Sequence, residues 1–315
     1  MFGGLVAKIG KCMDRRIKFR HLEAFVGISR AGSLKQAAMQ LNLTQPAISK
    51  TLRELEDFLG ARLMARDRSG VALTPQGEVF LQFAQQSLAA LQHGLTSLAS
   101  LGTAAAGHVS IGALPSVAAK LLPAAVSHFR ALAPGAVIQV EEGPHSHLVE
   151  RLRSGALDLV VGRLGRPEAM TGLSFTQLYS EHVVVVVSPD HPLAGKGRLT
   201  DISAYTVLYP PPNAAIRPLV DRMMIAQGIA QFPDRIESAS GAFGRAMTLG
   251  PIRAVWIISH GVVEADIAAG RLVPLAIETA ITAGPVGIMA RAEEDPSPTT
   301  RLFRHALIEA QNDGS

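Results

Sequence analysis

The sequence predicts two bodies of different class: a small helical head with a short β-wing, and a larger α/β body, joined by one long helix. Three observations carry this. The chain has 315 residues, which at roughly 150 residues per domain suggests two domains. Apolar residues recur at three- and four-residue spacing as far as Leu59, whereas from His108 onward short β-branched runs alternate with helical patterns. Charge divides along the same line. Residues 1–74 hold thirteen Lys and Arg against six Asp and Glu, a net of +7, and the remainder seventeen against twenty, a net of −3.

In the head, Phe19, Leu22, Phe25, Val26 and Ile28 place a helix over Lys18–Ala31, broken by Gly32. Ser33 with Gln36 three residues on reads as a capping box opening a helix over Leu34–Leu41. Asn42-Leu43 makes a tight turn. Thr44 is a plausible N-cap for a third helix, which tolerates Pro46 in its first turn and ends at Gly60. Its stripe is Ile48, Leu52, Leu55 and Leu59. Leu63–Thr74 reads as a hairpin whose turn closes at Gly70. Pro75–Leu101 is a single long helix whose apolar residues Val79, Phe80, Phe83, Leu88, Leu91, Leu95 and Leu98 form a stripe, its leucines reading as a dimer seam with intramolecular core as the alternative. Gly102–Gly107 is a flexible linker.

In the body, strands are expected at His108–Ala113, Val137–Glu142, Asp158–Val161, Val183–Ser188, Val207–Tyr209, Ala254–Ile258 and Val286–Ala290. Helices are expected at Val117–Leu132, His147–Ser154, Ala215–Gln227, Phe243–Leu249, Val262–Ala269 and Thr299–Gln311. Such alternation predicts a mostly parallel sheet covered by helices on both faces. The chain passes into a second lobe near Glu181–Pro192 and returns near Val286. The expected domains are therefore 14–74, a linker 75–106, and 107–315, the last split into lobe I (107–180 and 280–315) and lobe II (181–279).

Composition narrows the functional classes. With 48% apolar and 18% charged residues the chain can bury a sizeable core; with 5% aromatics that core is aliphatic. Cys12 is the one cysteine, which excludes an internal disulfide and a cysteine-built zinc site. His145 and His147 lack a third ligand at metal spacing. No apolar run approaches the roughly 18 residues a membrane span needs. Met1–Met13 has no long apolar core before a small-residue cleavage site, so a cytoplasmic protein is expected; Met13 stands as an alternative start.

Two short helices, a tight turn and a wing describe a winged helix-turn-helix. In that device the later helix enters the major groove of double-stranded DNA, while the preceding helix and the wing grip phosphates. Gln45, Pro46, Ser49, Lys50 and Arg53 share one face and offer amide, hydroxyl and cationic groups, and Thr44 before them is a further DNA-contact candidate. Ser33, Lys35 and Gln36, with Arg66 and Arg68 on the wing, are the phosphate candidates. An ordinary solvated face is the bland alternative.

The stretches Phe19-Arg20-His21-Leu22-Glu23-Ala24-Phe25, Gly32-Ser33-Leu34-Lys35-Gln36-Ala37-Ala38, Thr44-Gln45-Pro46-Ala47-Ile48-Ser49-Lys50 and Leu73-Thr74-Pro75-Gln76-Gly77 resemble the LysR-type transcriptional regulators. Leu121-Leu122-Pro123 and Gly155-Ala156-Leu157-Asp158-Leu159 extend the likeness over nearly the whole chain. Met64 departs from the family's usual Phe, an adaptable replacement. Arg16–Leu22 and Ala254–Val263 further resemble a subgroup of activators of protocatechuate catabolism and regulators of sugar-binding-protein genes. The resemblance implies a homodimer or homotetramer, a body with a type 2 periplasmic-binding-protein-like fold, and contact with RNA polymerase. It also implies a small-molecule effector, an anionic aromatic-acid metabolite or else a sugar-derived one, and no cofactor.

In such a fold the ligand lies at the carboxyl ends of strands, beside helix N-termini. Four loops fit: one with Ser116 and Val117, one with His145 and Ser146, one with Pro212 and Asn213, and one from Ser240 to Phe243. Ser116 also has the simpler reading of a helix cap, and Asn213 that of a helix-start residue. Two rival classes remain, an enzyme and a solute-binding protein. The chain lacks Gly-x-Gly-x-x-Gly, Walker, Gly-x-Ser-x-Gly and His-Glu-x-x-His motifs, and a solute-binding protein has no use for a basic head.

Overall fold

The structure is a computed structural model that describes residues 16–67, 70–100, 107–229, 231–292 and 294–314. The chain divides into two compact units, the first reaching Leu98 and including residues 153–155, the second holding the rest.

The first unit contains α1 (Phe19–Ala31), α2 (Leu34–Gln40), α3 (Gln45–Leu59), the wing strands β1 (Met64–Asp67) and β2 (Gly70–Leu73), and α4 (Pro75–Ser100). Its core is built on Phe25, Ile28, Ile48, Leu55 and Leu63, each almost fully buried. Helix α3 starts and stops as its sequence predicts: Thr44 Oγ1 accepts from Ala47 N at 3.4 Å, and Gly60 takes the left-handed conformation at φ 62°. The α2 start differs. Ser33 is the N-cap but makes no side-chain cap hydrogen bond. The turn is held by backbone instead, with Gly32 at φ 60° donating to Ile28 O and receiving at its own carbonyl the amide of Val71 from the wing.

The second unit contains two five-stranded sheets. Lobe I is formed by β3 (His108–Ala113), α5 (Pro115–Lys120), α6 (Leu122–Leu132), β4 (Val137–Glu142), α7 (His145–Arg153), β5 (Leu159–Arg163) and β6 (Leu173–Glu181). Lobe II follows with β7 (Val183–Val187), β8 (Val207–Tyr209), α8 (Arg217–Ala226), β9 (Arg235–Glu237), α9 (Gly241–Leu249), β10 (Val255–Ser259), α10 (His260–Ala268) and β11 (Val273–Pro274). The chain then returns to lobe I as β12 (Gly284–Arg291) and α11 (Pro298–Asp313). Strand orders are β4-β3-β5-β12-β6 and β11-β7-β10-β8-β9.

Three expectations are corrected. The sheets are mixed rather than mostly parallel, because β12 runs antiparallel to both β5 and β6, and β7 antiparallel to β10 and β11. These are the strands that enter a sheet after crossing from the other lobe. The expected helix Val117–Leu132 is two helices meeting at Leu121, since Pro123 lacks an amide and its ring crowds the carbonyl four residues back. Strand β6 was not expected at all. Its register against β12 shifts between Val286 and Gly287, leaving Leu178 without an opposite residue; a bulge of this kind reverses the inside–outside alternation that marks a strand in sequence.

Lobe I packs around Val109, Ile111, Phe129 and Phe303, the two rings 5.1 Å apart and edge to face. Lobe II packs around the fully buried β7 and Trp256, a core residue as expected. At the crossings between the lobes, Val183 N donates to Thr282 Oγ1 at 2.9 Å, tying the outgoing chain to the returning one. Among the described residues, no helix is long and apolar enough to cross a membrane.

Candidate functional site

The first site is the outer face of α3. Ile48, Leu52 and Leu55 turn into the head, so helical geometry turns Gln45, Ser49, Lys50 and Arg53 outward. Thr44, Gln45, Pro46, Lys50 and Arg53 are exposed and Ser49 is half-buried. Lys35 and Gln36 at the start of α2 are exposed, with Ser33 half-buried beside them. Arg66 falls on β1, and Arg68 lies outside the described residues.

Two carboxylates on α3 hold this face in place. Glu54 gathers Lys50 Nζ at 4.0 Å, Arg20 Nη2 at 3.6 Å and His21 Nε2 at 3.3 Å. Nδ1 of the buried His21 accepts from Lys18 N, which leaves the Nε2 proton for Glu54. Glu56 is only 6% exposed, yet fully engaged. Its Oε1 accepts from the amides of Leu63 (2.9 Å) and Met64 (3.1 Å), and its Oε2 pairs with Arg62 at 2.9 Å. This carboxylate fixes the root of the wing to the end of the exposed helix.

The second site is a cavity of about 260 Å³ between the two sheets of the body. It is ringed by the carboxyl ends of six strands: Ser116 after β3, Glu142 closing β4, Arg163 closing β5, Asn213 after β8, Ser240 after β9 and Ser259 closing β10. Of the sequence candidates, Ser116, Asn213 and Ser240 line it. Ser116 is 4% exposed and is not a helix cap, that position belonging to Leu114. Ser240 does cap α9, accepting from Phe243 N at 3.2 Å.

Five candidates do not line the cavity. Val117 is buried in the lobe I core. His145 packs beside Gly165, where a Cβ would stand 2.5 Å from its ring. Ser146, Pro212 and Phe243 are exposed outside the lining. Val117, His145, Ser146 and Phe243 lie on helices past the lining residues Ser116, Pro144 and Ser240, where each helical step rotates the side chain by about 100°.

The group that sequence reading missed is Arg163. It sits 5% exposed at the cavity wall, with Nη1 donating to Thr282 O at 3.4 Å. Nη2 stands 3.6 Å from Glu181 Oε2, and neither Nε nor Nη2 has a hydrogen-bond partner. The other oxygen of Glu181 accepts from Gly261 N at 3.0 Å. Burial lowers the Arg163 guanidinium from its ordinary value, opposed by Glu181 and Tyr179; an arginine stays cationic at neutral pH nonetheless. Burial, then the charge of Glu181, pushes the phenol of neighbouring Tyr179 up. The available signal was a charged residue closing the apolar run Val160-Val161-Gly162, where a buried strand has no reason to place one. Among the described residues no group of His, Cys, Asp and Glu could hold a metal ion.

Comparison with known proteins places both parts of the chain in one family. A family model described as the bacterial regulatory helix-turn-helix protein, lysR family, matches residues 19–78, and one described as the LysR substrate binding domain matches residues 102–312. The HTH-type transcriptional regulator PcaQ of Agrobacterium fabrum (strain C58) is 44% identical over 95% of this chain and 96% of its own. The HTH-type transcriptional regulator GbpR of Azospirillum brasilense is 28% identical over 95% and 88%. Among solved structures, full-length CbnR complexed with its target DNA shares the fold, with a TM-score of 0.58 at 21% identity over 93% of this chain and all of that one.

Proposed function

This chain belongs to the LysR family of DNA-binding transcriptional regulators, and on that premise we propose that it is an effector-responsive activator whose ligand is a small carboxylate. The subgroup resemblance points to an intermediate of aromatic-acid breakdown. The observation that carries the ligand class is Arg163. Arg163 is the one cation among the described residues that line the cavity; its Nε and Nη2 make no hydrogen bond and Glu181 stands 3.6 Å from Nη2, so it is the group with which an incoming carboxylate would pair. Largely apolar surroundings, with Leu114, Pro144, Ile216 and Ile258 in the wall, suit a flat hydrocarbon body behind that carboxylate.

On the head, Gln45, Ser49 and Arg53 are assigned to base edges, with Thr44, Pro46 and Lys50 beside them. Ser33, Lys35, Gln36, Arg66 and Arg68 are assigned to phosphates. Exposed Val79, Phe83, Leu91 and Leu95 on α4 support a seam between copies, hence a homodimer or homotetramer. Double-stranded DNA, a second copy and RNA polymerase are the partners, in the cytoplasm, and no cofactor is required.

The test is a fluorescence-anisotropy titration with the DNA adjoining the chain's own gene. Arg53→Ala should weaken binding by about tenfold or more, the value of one good base contact, with oligomeric state unchanged. In a thermal-shift panel on the full chain, carboxylates rather than neutral sugars should raise the melting temperature. Unchanged DNA affinity removes Arg53 from the interface; stabilisation by sugars alone overturns the carboxylate assignment.

A further inference from the structure

Among the described residues, one carboxylate lines the cavity, that of Glu142. Glu141 and Glu142 close β4 side by side, but only the first is engaged, by His147 Nε2 at 2.6 Å and Arg151 Nε at 2.9 Å. Glu142 lines the cavity, and among the described residues it has no hydrogen-bond or ion-pair partner. Among the described lining residues Arg163 is the one cation and Glu142 the one anion. The cation is moreover shared, since Glu181 stands 3.6 Å from its Nη2.

We propose that Glu142 sets effector specificity: it selects a carboxylate that also carries hydroxyl donors and rejects one that carries a second carboxylate. This rests on the reading that Arg163 receives the first carboxylate. With that group in place the local positive charge is spent, and a second carboxylate meets Glu142 with no cation to compensate it. A hydroxyl meets a charged acceptor, the stronger kind of hydrogen bond. Ser116, Ser240 and Ser259 neither add nor remove charge, so the discrimination falls to the one glutamate. The inferred effector class is a hydroxylated monocarboxylate of benzoate size.

Calorimetric titration of the full chain with protocatechuate, benzoate and adipate tests this, using wild type, Glu142→Gln and Glu142→Ala. Glu142 is exposed at a strand end, so both variants should melt as wild type does. Wild type should prefer protocatechuate to benzoate by about tenfold, the value of a hydrogen bond to a charged group, and bind adipate most weakly. Glu142→Ala should bring protocatechuate down to the benzoate level, and both variants should improve adipate. If wild type prefers adipate, or both variants keep the wild-type ranking, Glu142 is not the selector, while the role of Arg163 stands. If none of the three acids binds at millimolar concentration, the carboxylate reading of the cavity fails and this proposal falls with it.

Discussion

Glu56 in the head and Arg163 in the body are buried to nearly the same degree, 6% and 5% exposed. Glu56 is satisfied by two backbone amides and an arginine. Arg163 reaches one carbonyl at 3.4 Å and Glu181 at 3.6 Å, and neither its Nε nor its Nη2 makes a hydrogen bond. Burial alone therefore does not distinguish a structural charge from a functional one. Satisfaction does: a charge the fold has fully paired belongs to the fold, and one left short of partners is held for something that arrives.

Three replacements would break or sharpen that contrast. The largest effect is expected from Glu56→Ala, which strands the amides of Leu63 and Met64. It should cost the head about 3 kcal/mol, read as faster hydrogen exchange throughout α3 and the wing, with the body unchanged. The exposed Arg62 contributes little to that figure.

Asp266 extends the test to a paired charge in the body. It is 4% exposed and bonded to Arg245 at 2.6 Å and Arg271 at 2.7 Å. Burial would raise its carboxyl, but the hydrogen bonds from Arg245 and Arg271 outweigh it and hold the group below its ordinary value. A depressed carboxyl contributes stability above its unfolded pKa and loses it as pH falls through the folded one. Asp266→Asn should therefore cost about 1 to 2 kcal/mol at neutral pH, and the gap from wild type should close below about pH 4. Trp256, the one tryptophan, reports lobe II unfolding directly by its emission.

The smallest change in stability is expected where the fold has least invested. Replacing the Arg163 and Glu181 pair with Met and Gln avoids stranding either charge, and should leave the denaturation midpoint within about 1 kcal/mol of wild type. A loss as large as that of Glu56→Ala would erase the distinction.

The two sites also differ in how far the sequence reveals them. The α3 face is local: Thr44, the Ile48–Leu52–Leu55 stripe and Gly60 fix which side of one helix turns outward, and no distant residue is needed. The cavity draws on six separate strand ends. Ser116, Asn213 and Ser240 were legible because each sits in a strand-to-helix loop, a place where ligands recur in α/β sheets. Arg163 and Glu142 were not, because each closes a strand. Arg163 becomes meaningful only when β12 is laid beside β5, bringing Thr282 near, and when Glu181 at the end of β6 comes opposite. That placement depends on the return crossing and on the bulge at Leu178, neither of which leaves a periodic trace. His145 and Phe243 show the converse error, loop membership without the turn of chain that would aim a side chain inward.

The claim on which the rest depends is that Arg163 is kept for a ligand's carboxylate. Calorimetric titration of protocatechuate into wild type and into the Arg163→Met, Glu181→Gln double variant tests it most directly, with DNA affinity measured on the same preparations. The account predicts saturable binding to wild type, at least about tenfold weaker binding to the double variant, and equal affinity of both for DNA. Equal protocatechuate affinity in the two proteins would contradict it.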